Sequence, residues 1–442
     1  MSSPPSTRPL GFWFLLALVM GNMLGSGIFL LPASLAPYGL HSLWGWGLST
    51  LGALALAFTF SQLSRSIPLA GGPFAYTRST FGDFAGFFIT WGYWISLWVG
   101  SAATAVAFTS YSSYFFPALS AVPWQGAVYT VGAIWLVTVF NLQGLASAGR
   151  FQMVSMVIKL LPLVLMAGVG IFFFDTPNIQ PTLGPSIQPG TGWSASSAVA
   201  ALTLWSFLGL ESATVPERRI KNARRNIPRA TLIGTLVASA LFILSSTAVM
   251  GLVPTETLAT SEAPFAEATR ILLGERAGSF VAFCAAISCL GALNGWVLII
   301  GQLPLATAKQ KLFPAVFAHT NGKGAPDRGL ILSSALITAL IAMNYTQSLV
   351  KQFEFIVLLS TLANLLPYLF SASGLLWLSF RSEEKSLGSH RVRWAAIAAL
   401  AFIYSLWAVY GTGQESVFLG FILLMCGLPV YAWITRDRSW SP

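Results

Sequence analysis

Two ionisable side chains, Lys159 and Glu211, sit deep inside long apolar stretches of the chain. A charge at the centre of a membrane helix costs about 2.5–3.5 kcal/mol on insertion scales, so such residues mark ion pathways or proton relays. Glu211, in LTLWSFLGLESATVP, can carry a proton or act as a gate that moves with a ligand. Its structural alternative is a hydrogen bond across a local helix break. Lys159, in MVIKLLPLV, can titrate or donate hydrogen bonds. Its alternative is snorkelling to the nearer surface. The span that holds it is expected to start near residue 151, and eight residues rise about 12 Å, close to the reach of a lysine.

The backbone near these groups is also unusual. MGNMLGSGIFLLP places Gly21, Gly25 and Gly27 within seven residues and then Pro32. Glycine costs about 1 kcal/mol against alanine in a helix interior, so three together favour an unwound stretch over a continuous helix. Freed N–H groups at the start of the following half-helix suit a carboxylate, because the helix dipole is positive there. Close packing of small residues is the competing reading. A second stretch carries Ser206, Gly209, Glu211, Ser212 and Pro216 and reads as another interruption. Trp205 and Trp296 have small or polar neighbours, and an indole face attracts an ammonium or guanidinium group. Most tryptophans of such a chain are nevertheless interfacial or core.

Composition says what must position these residues. Of 442 residues, 55% are hydrophobic and 9% charged, where soluble domains carry about a quarter charged. The mean hydropathy is +0.71. The chain belongs in a bilayer. Twelve spans are expected, at 10–34, 42–64, 83–111, 124–146, 151–174, 194–215, 230–253, 277–303, 329–345, 353–380, 394–411 and 416–435. The third, eighth and tenth are long, which implies tilt or a cytoplasmic extension. The segment 262–273 is short and amphipathic and reads as a surface helix. The polar, Pro-rich start, residues 1–9, leads straight into an apolar run and fits a retained first helix.

The formal net charge is +10, but its location excludes a nucleic-acid partner. One set of loops carries 20 of the 24 Lys and Arg: Arg8, Arg65, Arg78, Arg150, Arg218, Arg219, Lys221, Arg224, Arg225, Arg229, Lys309, Lys311, Lys323, Arg328, Arg381, Lys385, Arg391, Arg393, Arg436 and Arg438. The other side has Arg270, Arg276 and Lys351. This positive-inside split predicts cytoplasmic termini and an even number of spans. The basic loop 217–229 is then a topology determinant, with contact to lipid headgroups secondary. Cys284, Cys289 and Cys426 match no metal spacing and read as small apolar core residues. His41, His319 and His390 lie far apart in loops, so an enzyme is disfavoured and no cofactor or metal is expected. A channel would need polar rings or a pore loop. Interrupted spans 1 and 6 stand five apart. That is the pointer to an all-α transporter with two inverted five-helix repeats and a midplane site.

The motifs GNMLGSGIFLLPASLA (21–36), LTLWSFLGLESATV (202–215), KNARRNIPRAT (221–231), CLGALNGWVLIIGQ (289–302) and LLPYLF (365–370) resemble the amino acid–polyamine–organocation transporters. Their order and spacing are most similar to basic amino acid/polyamine antiporters, arginine–agmatine exchangers above all. The resemblance implies a single transmembrane domain in the inner membrane. The first repeat would run 10–174, the second 194–380, with helices 11 and 12 at 394–435. It also implies alternating access and often a homodimer. Ser26 and Gly27 would bind substrate carboxylate, with the Met23 and Gly25 backbone near the amino group. Trp205, beside Leu208, matches an occluding aromatic, and Trp296 one that closes the site. Tyr93 matches a gate tyrosine, Ser360 a polar residue of span 10, and Glu211 a gate or proton-linked glutamate. Ser96 falls in the same part of span 3. Where those exchangers carry Asn and Cys, this chain has Ser101 and Leu97. Serine has one donor where an amide has two, which puts arginine specificity in question. Lys159 instead resembles the proton-coupled symporters of the superfamily, whose substrates are neutral or broader.

Overall fold

The computed structural model describes residues 11–25, 27–67, 69, 72–143, 145–179, 191–214, 220–381 and 390–436. Ser26, Pro216, Arg8, Arg218, Arg219, Lys385 and Arg438 lie outside them. No β-strand occurs among the described residues. The helices are α1 (Phe12–Met23), α2 (Gly27–Leu35), α3 (His41–Ser66), α4 (Pro73–Ser113), α5 (Ala118–Ala121), α6 (Pro123–Leu142), α7 (Leu145–Gly168) and α8 (Thr191–Leu204). They continue with α9 (Ala223–Leu252), α10 (Thr255–Leu258), α11 (Pro264–Leu273), α12 (Glu275–Lys309), α13 (Asp327–Asn344), α14 (Leu349–Phe380), α15 (Arg391–Gly411), α16 (Gln414–Met425) and α17 (Gly427–Thr435). Among the described residues, eight helices are long and apolar enough to cross a bilayer, with α16 and α17 counted as one. The bent pair α1–α2 makes a ninth. α8 is cut short at Leu204 and α4 is rich in Gly, Ser and Thr, so neither meets that criterion.

α4 is the spine. It packs along α14 and α12, and its stretch Gly100, Ser101, Ala102, Ala103, Thr104, Ala105 is wholly buried. Small side chains let neighbouring backbones approach where no hydrophobic effect drives helices together. Their hydroxyls are satisfied locally: Ser101 Oγ donates to Leu97 O at 2.9 Å and Thr104 Oγ1 to Gly100 O at 3.0 Å. Such back-bonding hides a polar group within its own helix. The helix also runs on ahead of the expected span 83–111, as a separate segment: Gly82, at φ 85°, breaks α4 after Phe81. Arg78 Nε donates to Asp83 Oδ1 across that kink at 2.8 Å, and Arg78 Nη1 to Gln310 Oε1 at 3.2 Å.

Several helices begin earlier than hydropathy implied. α7 starts at Leu145, not 151, so Lys159 lies fourteen residues in, about 21 Å along the axis. α9 starts at Ala223, which makes Arg224, Arg225 and Arg229 helical rather than part of a loop. Cys284 and Cys289 are buried, but Cys426 is exposed where α16 gives way to α17, contrary to a core position.

The short segment 262–273 forms α11, yet one face is not at the surface. Phe265 is fully buried with its ring 5.5 Å from Phe29, edge to face. Tyr111 at the end of α4 donates to Phe29 O at 2.8 Å and accepts from Phe265 N at 3.2 Å. Beside it, Ser110 Oγ donates to both the carbonyl and the carboxylate Oε2 of Glu262 at 2.7 Å. Burial pushes the Glu262 carboxyl up, against the smaller opposite pull of the Ser110 bond. A raised carboxyl favours the folded state most below the ordinary carboxylate range, and that contribution is lost as pH rises through the folded value. Glu262→Gln should therefore raise the melting temperature at pH 7, by an amount that shrinks toward pH 4. Melting curves of both proteins across that range test it; an offset independent of pH would contradict the burial argument.

Candidate functional site

Two interrupted helices meet at the centre of the molecule. α1 ends at Met23, Leu24 adopts ψ 57°, and α2 resumes at Gly27 with the axis bent by 43°. α8 ends at Leu204 and is followed by a 3₁₀ turn, Trp205–Phe207. Leu208 is then extended and Gly209 takes φ 102° before a second 3₁₀ turn, Leu210–Thr214. Only glycine adopts that φ without strain. A Cβ at Gly209 would also lie 2.8 Å from the Asn22 Cβ, so the two breaks touch each other.

Trp205 fills the gap between them. A Cβ on Gly27 would collide with its indole Nε1, and a Cβ on Gly100 would meet the far edge of the ring at 2.6 Å. The indole is thus held between two glycines, one from α2 and one from α4, and is only 8% exposed. Trp205 and Trp296 together wall two adjoining cavities. One is bordered by Met23, Gly25, Gly27, Ser206 and Leu208. The other is bordered by Tyr93, Ser96, Leu97, Leu208, Glu211 and Ser360.

At the floor of the second cavity Glu211 is 1% exposed. Tyr93 Oη donates to its Oε1 at 3.0 Å and Tyr368 Oη to its Oε2 at 2.9 Å. Two hydroxyls from α4 and α14 thus converge on one carboxylate of the second break. No lysine, arginine or histidine forms an ion pair with it among the described residues. Ser360 Oγ donates to Ser96 O at 2.8 Å and ties α14 to α4 beside the ring of Trp205. Ser206 Oγ, buried on the first cavity's wall, has no hydrogen-bond partner among the described residues.

Eleven of the sequence-selected positions therefore border the paired cavities: Met23, Gly25, Gly27, Tyr93, Ser96, Leu97, Trp205, Leu208, Glu211, Trp296 and Ser360. Ser26 lies outside the described residues. Ser101 does not border them, and its hydroxyl is spent on Leu97 O. Lys159 stands behind the site. Its Nζ donates to Gly21 O, on the last turns of α1, at 2.6 Å, and the residue is 3% exposed, so it does not snorkel. Gly21, Asn22 and Gly25 border a further cleft against Trp296, so the lysine reaches the site through the α1 backbone. The sequence alone does not single out Tyr368, Asn364 or Gly100, and it marks Ser206 only as part of the second interruption. For the first two a signal existed: Ser360, Asn364 and Tyr368 recur every four residues and share a face of α14. Among the described residues, no three His, Cys, Asp or Glu side chains group as a metal would require.

A family model described as amino acid permease matches residues 10–430. The chain is 32% identical over 429 residues to the putrescine transporter of Haemophilus influenzae, covering 97% of this chain and 98% of that protein. It is 34% identical over 465 residues to a putative arginine/ornithine antiporter of Bacillus subtilis, covering 97% and 98%. It is also 33% identical over 338 residues to the cadaverine/lysine antiporter of Escherichia coli K12, covering 76% and 75%. These relatives are transporters rather than enzymes, and the apolar helices agree with a multi-pass integral membrane protein. The chain belongs to the amino acid permease family, in the basic amino acid/polyamine antiporter branch of the amino acid–polyamine–organocation superfamily.

Proposed function

We propose that this protein exchanges a basic amino acid for its decarboxylated amine across the cell membrane by alternating access. In this reading twelve spans form two inverted five-helix repeats plus two further helices, with both termini in the cytoplasm. The observation that carries the proposal is the contact between two broken spans around a tryptophan-walled cavity with a single buried carboxylate beneath it. The names of the relatives support the pairing of amino acid with amine.

The roles follow from the chemistry of each group. The backbone N–H of Gly27, at the start of α2, suits a substrate carboxylate at the positive end of a helix dipole, the role that the family resemblance also gives Ser26. Carbonyls of Met23 and Gly25 accept from the amino group. Trp205 offers its π-face to the cationic end of the substrate. Trp296 closes the opposite wall. The Tyr93–Glu211–Tyr368 cluster blocks the exit past Trp205 and opens when the carboxylate gains a proton or a substrate cation. Ser101, bonded within its own helix, leaves recognition of the guanidinium or ammonium to Ser206 and the tryptophans.

One observation favours a second reading, a proton-coupled symporter. The Lys159 ammonium sits on the α1 carbonyl Gly21, where a coupling cation would bind. Reconstituted protein in liposomes separates the two. Labelled arginine should enter only when arginine or agmatine is trapped inside; entry into empty vesicles driven by an acid-outside gradient would establish symport instead. Glu211→Gln keeps a side chain that both tyrosines can meet but removes the titrating group, so it should flatten the pH profile of exchange. An unchanged profile would remove the proton role. Lys159→Met deprives Gly21 of a charged donor, a loss of about 1.5–3 kcal/mol. Arginine affinity should fall about tenfold or more in calorimetry, and wild-type affinity would show the lysine to be structural only.

A further inference from the structure

Most polar side chains around the cavity that holds Glu211 are already occupied. Tyr93 Oη is bonded to Glu211, and Ser360 Oγ donates to Ser96 O. Leu97 offers no polar side-chain atom, and Ser101 does not border the cavity. Asn364 is the exception. It borders the same cavity and is 1% exposed, and its Nδ2 is buried with no hydrogen-bond partner among the described residues. No other side chain around that cavity carries a buried polar atom left unpaired in this way. An unpaired interior amide is unfavourable, and folded proteins rarely keep one without a use.

The rest of the amide is lightly held. Asn364 Oδ1 accepts from Ser96 Oγ at 3.4 Å, and that hydroxyl is equally far from Ser360 Oγ. A serine has one proton and cannot donate to both at once. The Tyr368 hydroxyl lies near the amide but is directed at Glu211 Oε2 and does not complete a bond with Nδ2. Turning the carboxamide over about its last torsion, a soft sp³–sp² rotation, exchanges its two ends. Nδ2 can then donate to Ser96 Oγ, and Oδ1 takes the unpaired position as an acceptor. Asn364 can thus answer a donor-rich ligand without any helix moving.

Its place along α14 fits that task. Ser360, Asn364 and Tyr368 follow one another at four-residue steps, about 6 Å apart along the axis. Ser360 stands beside the Trp205 ring, since a Cβ on Gly100 would meet both, and Tyr368 is bonded to Glu211. The amide therefore lies between the two groups that attract a cation, an indole face and a carboxylate.

We propose that Asn364 is a specificity-determining residue that reads the cationic end of the substrate, its Oδ1 accepting an N–H of a guanidinium or a primary ammonium. The role rests on the exchange of basic amino acid and amine given above, and it names the side chain that separates a cationic substrate from an apolar one of similar length. Being neutral, the amide orients the cation without closing an ion pair on it, so the substrate can still leave.

The test is calorimetry with arginine, lysine and norleucine on the purified wild-type protein, Asn364→Leu and Asn364→Asp. Norleucine is lysine with hydrogen in place of the ammonium. Wild type should bind at least one of the two cations better than norleucine. In Asn364→Leu that preference should fall about tenfold or more, through weaker binding of the cation with norleucine unchanged or tighter. Asn364→Asp has the same shape and presents an acceptor oxygen whether ionised or protonated, so it should keep the preference. Should Asn364→Leu fail to fold, Asn364→Ala carries the same expectation. A preference that survives the loss of the amide, or one that Asn364→Asp also abolishes, would make Asn364 a packing residue and overturn the proposal while the exchange reading stands. Wild-type protein that binds neither cation better than norleucine would instead overturn the basic-substrate reading, and the role of the amide with it.

Discussion

Everything at the centre of this protein depends on one constraint: a backbone amide or carbonyl in an apolar slab needs a partner. Interrupting one span exposes several such groups. Interrupting two and setting the breaks against each other gives those groups a shared polar interior. Gly209 against Asn22, and Gly27 against Trp205, are the contacts through which this happens. Side chains are absent at these points because the opposing chain occupies the space they would need. The cavity follows from the same arrangement, since neither break can be filled completely from its own helix.

Glu211 illustrates how the surroundings convert an expensive residue into a positioned one. A lone carboxylate at this depth would be unfavourable by several kcal/mol without partners. Two tyrosine hydroxyls, each carried by a different helix, accept that role without neutralising the charge. The group is held in place from two helices. An arginine or lysine at either tyrosine position would hold the carboxylate more firmly. Lys159 shows the complementary case: its ammonium donates to backbone, the Gly21 carbonyl of the first broken span being its acceptor.

The cost of a charge or a glycine is local, so Glu211, Lys159 and the glycine cluster were legible in the sequence. The partner that relieves that cost is tertiary, so Tyr368 and Asn22 were not, although LLPYLF was already noticed as a motif. Helix starts depart from the hydropathy boundaries for a different reason. Hydropathy senses where lipid ends, while a helix continues as long as its hydrogen bonds do. Arg224, Arg225 and Arg229 extend α9 beyond the apolar stretch. In α7 it is burial and the bond to the Gly21 carbonyl, and not the helix start, that show Lys159 does not reach the surface. Ser101 was singled out for its type, yet in a helix of small residues a serine is satisfied by its own backbone.

The phenol of Tyr111 joins parts of the chain that are otherwise far apart. One oxygen gives its proton to the carbonyl of Phe29 and receives the amide of Phe265. The half-helix α2 that follows the first break and the short helix α11 are therefore coupled through a single atom. Any tilt of α2 that preserves this atom's bonds carries α11 with it, as one rocker arm pivoting on the end of α4. Any tilt that leaves α11 behind must break a hydrogen bond and an edge-to-face ring contact in the same stroke, which turns a gradual swing into a latch with two positions.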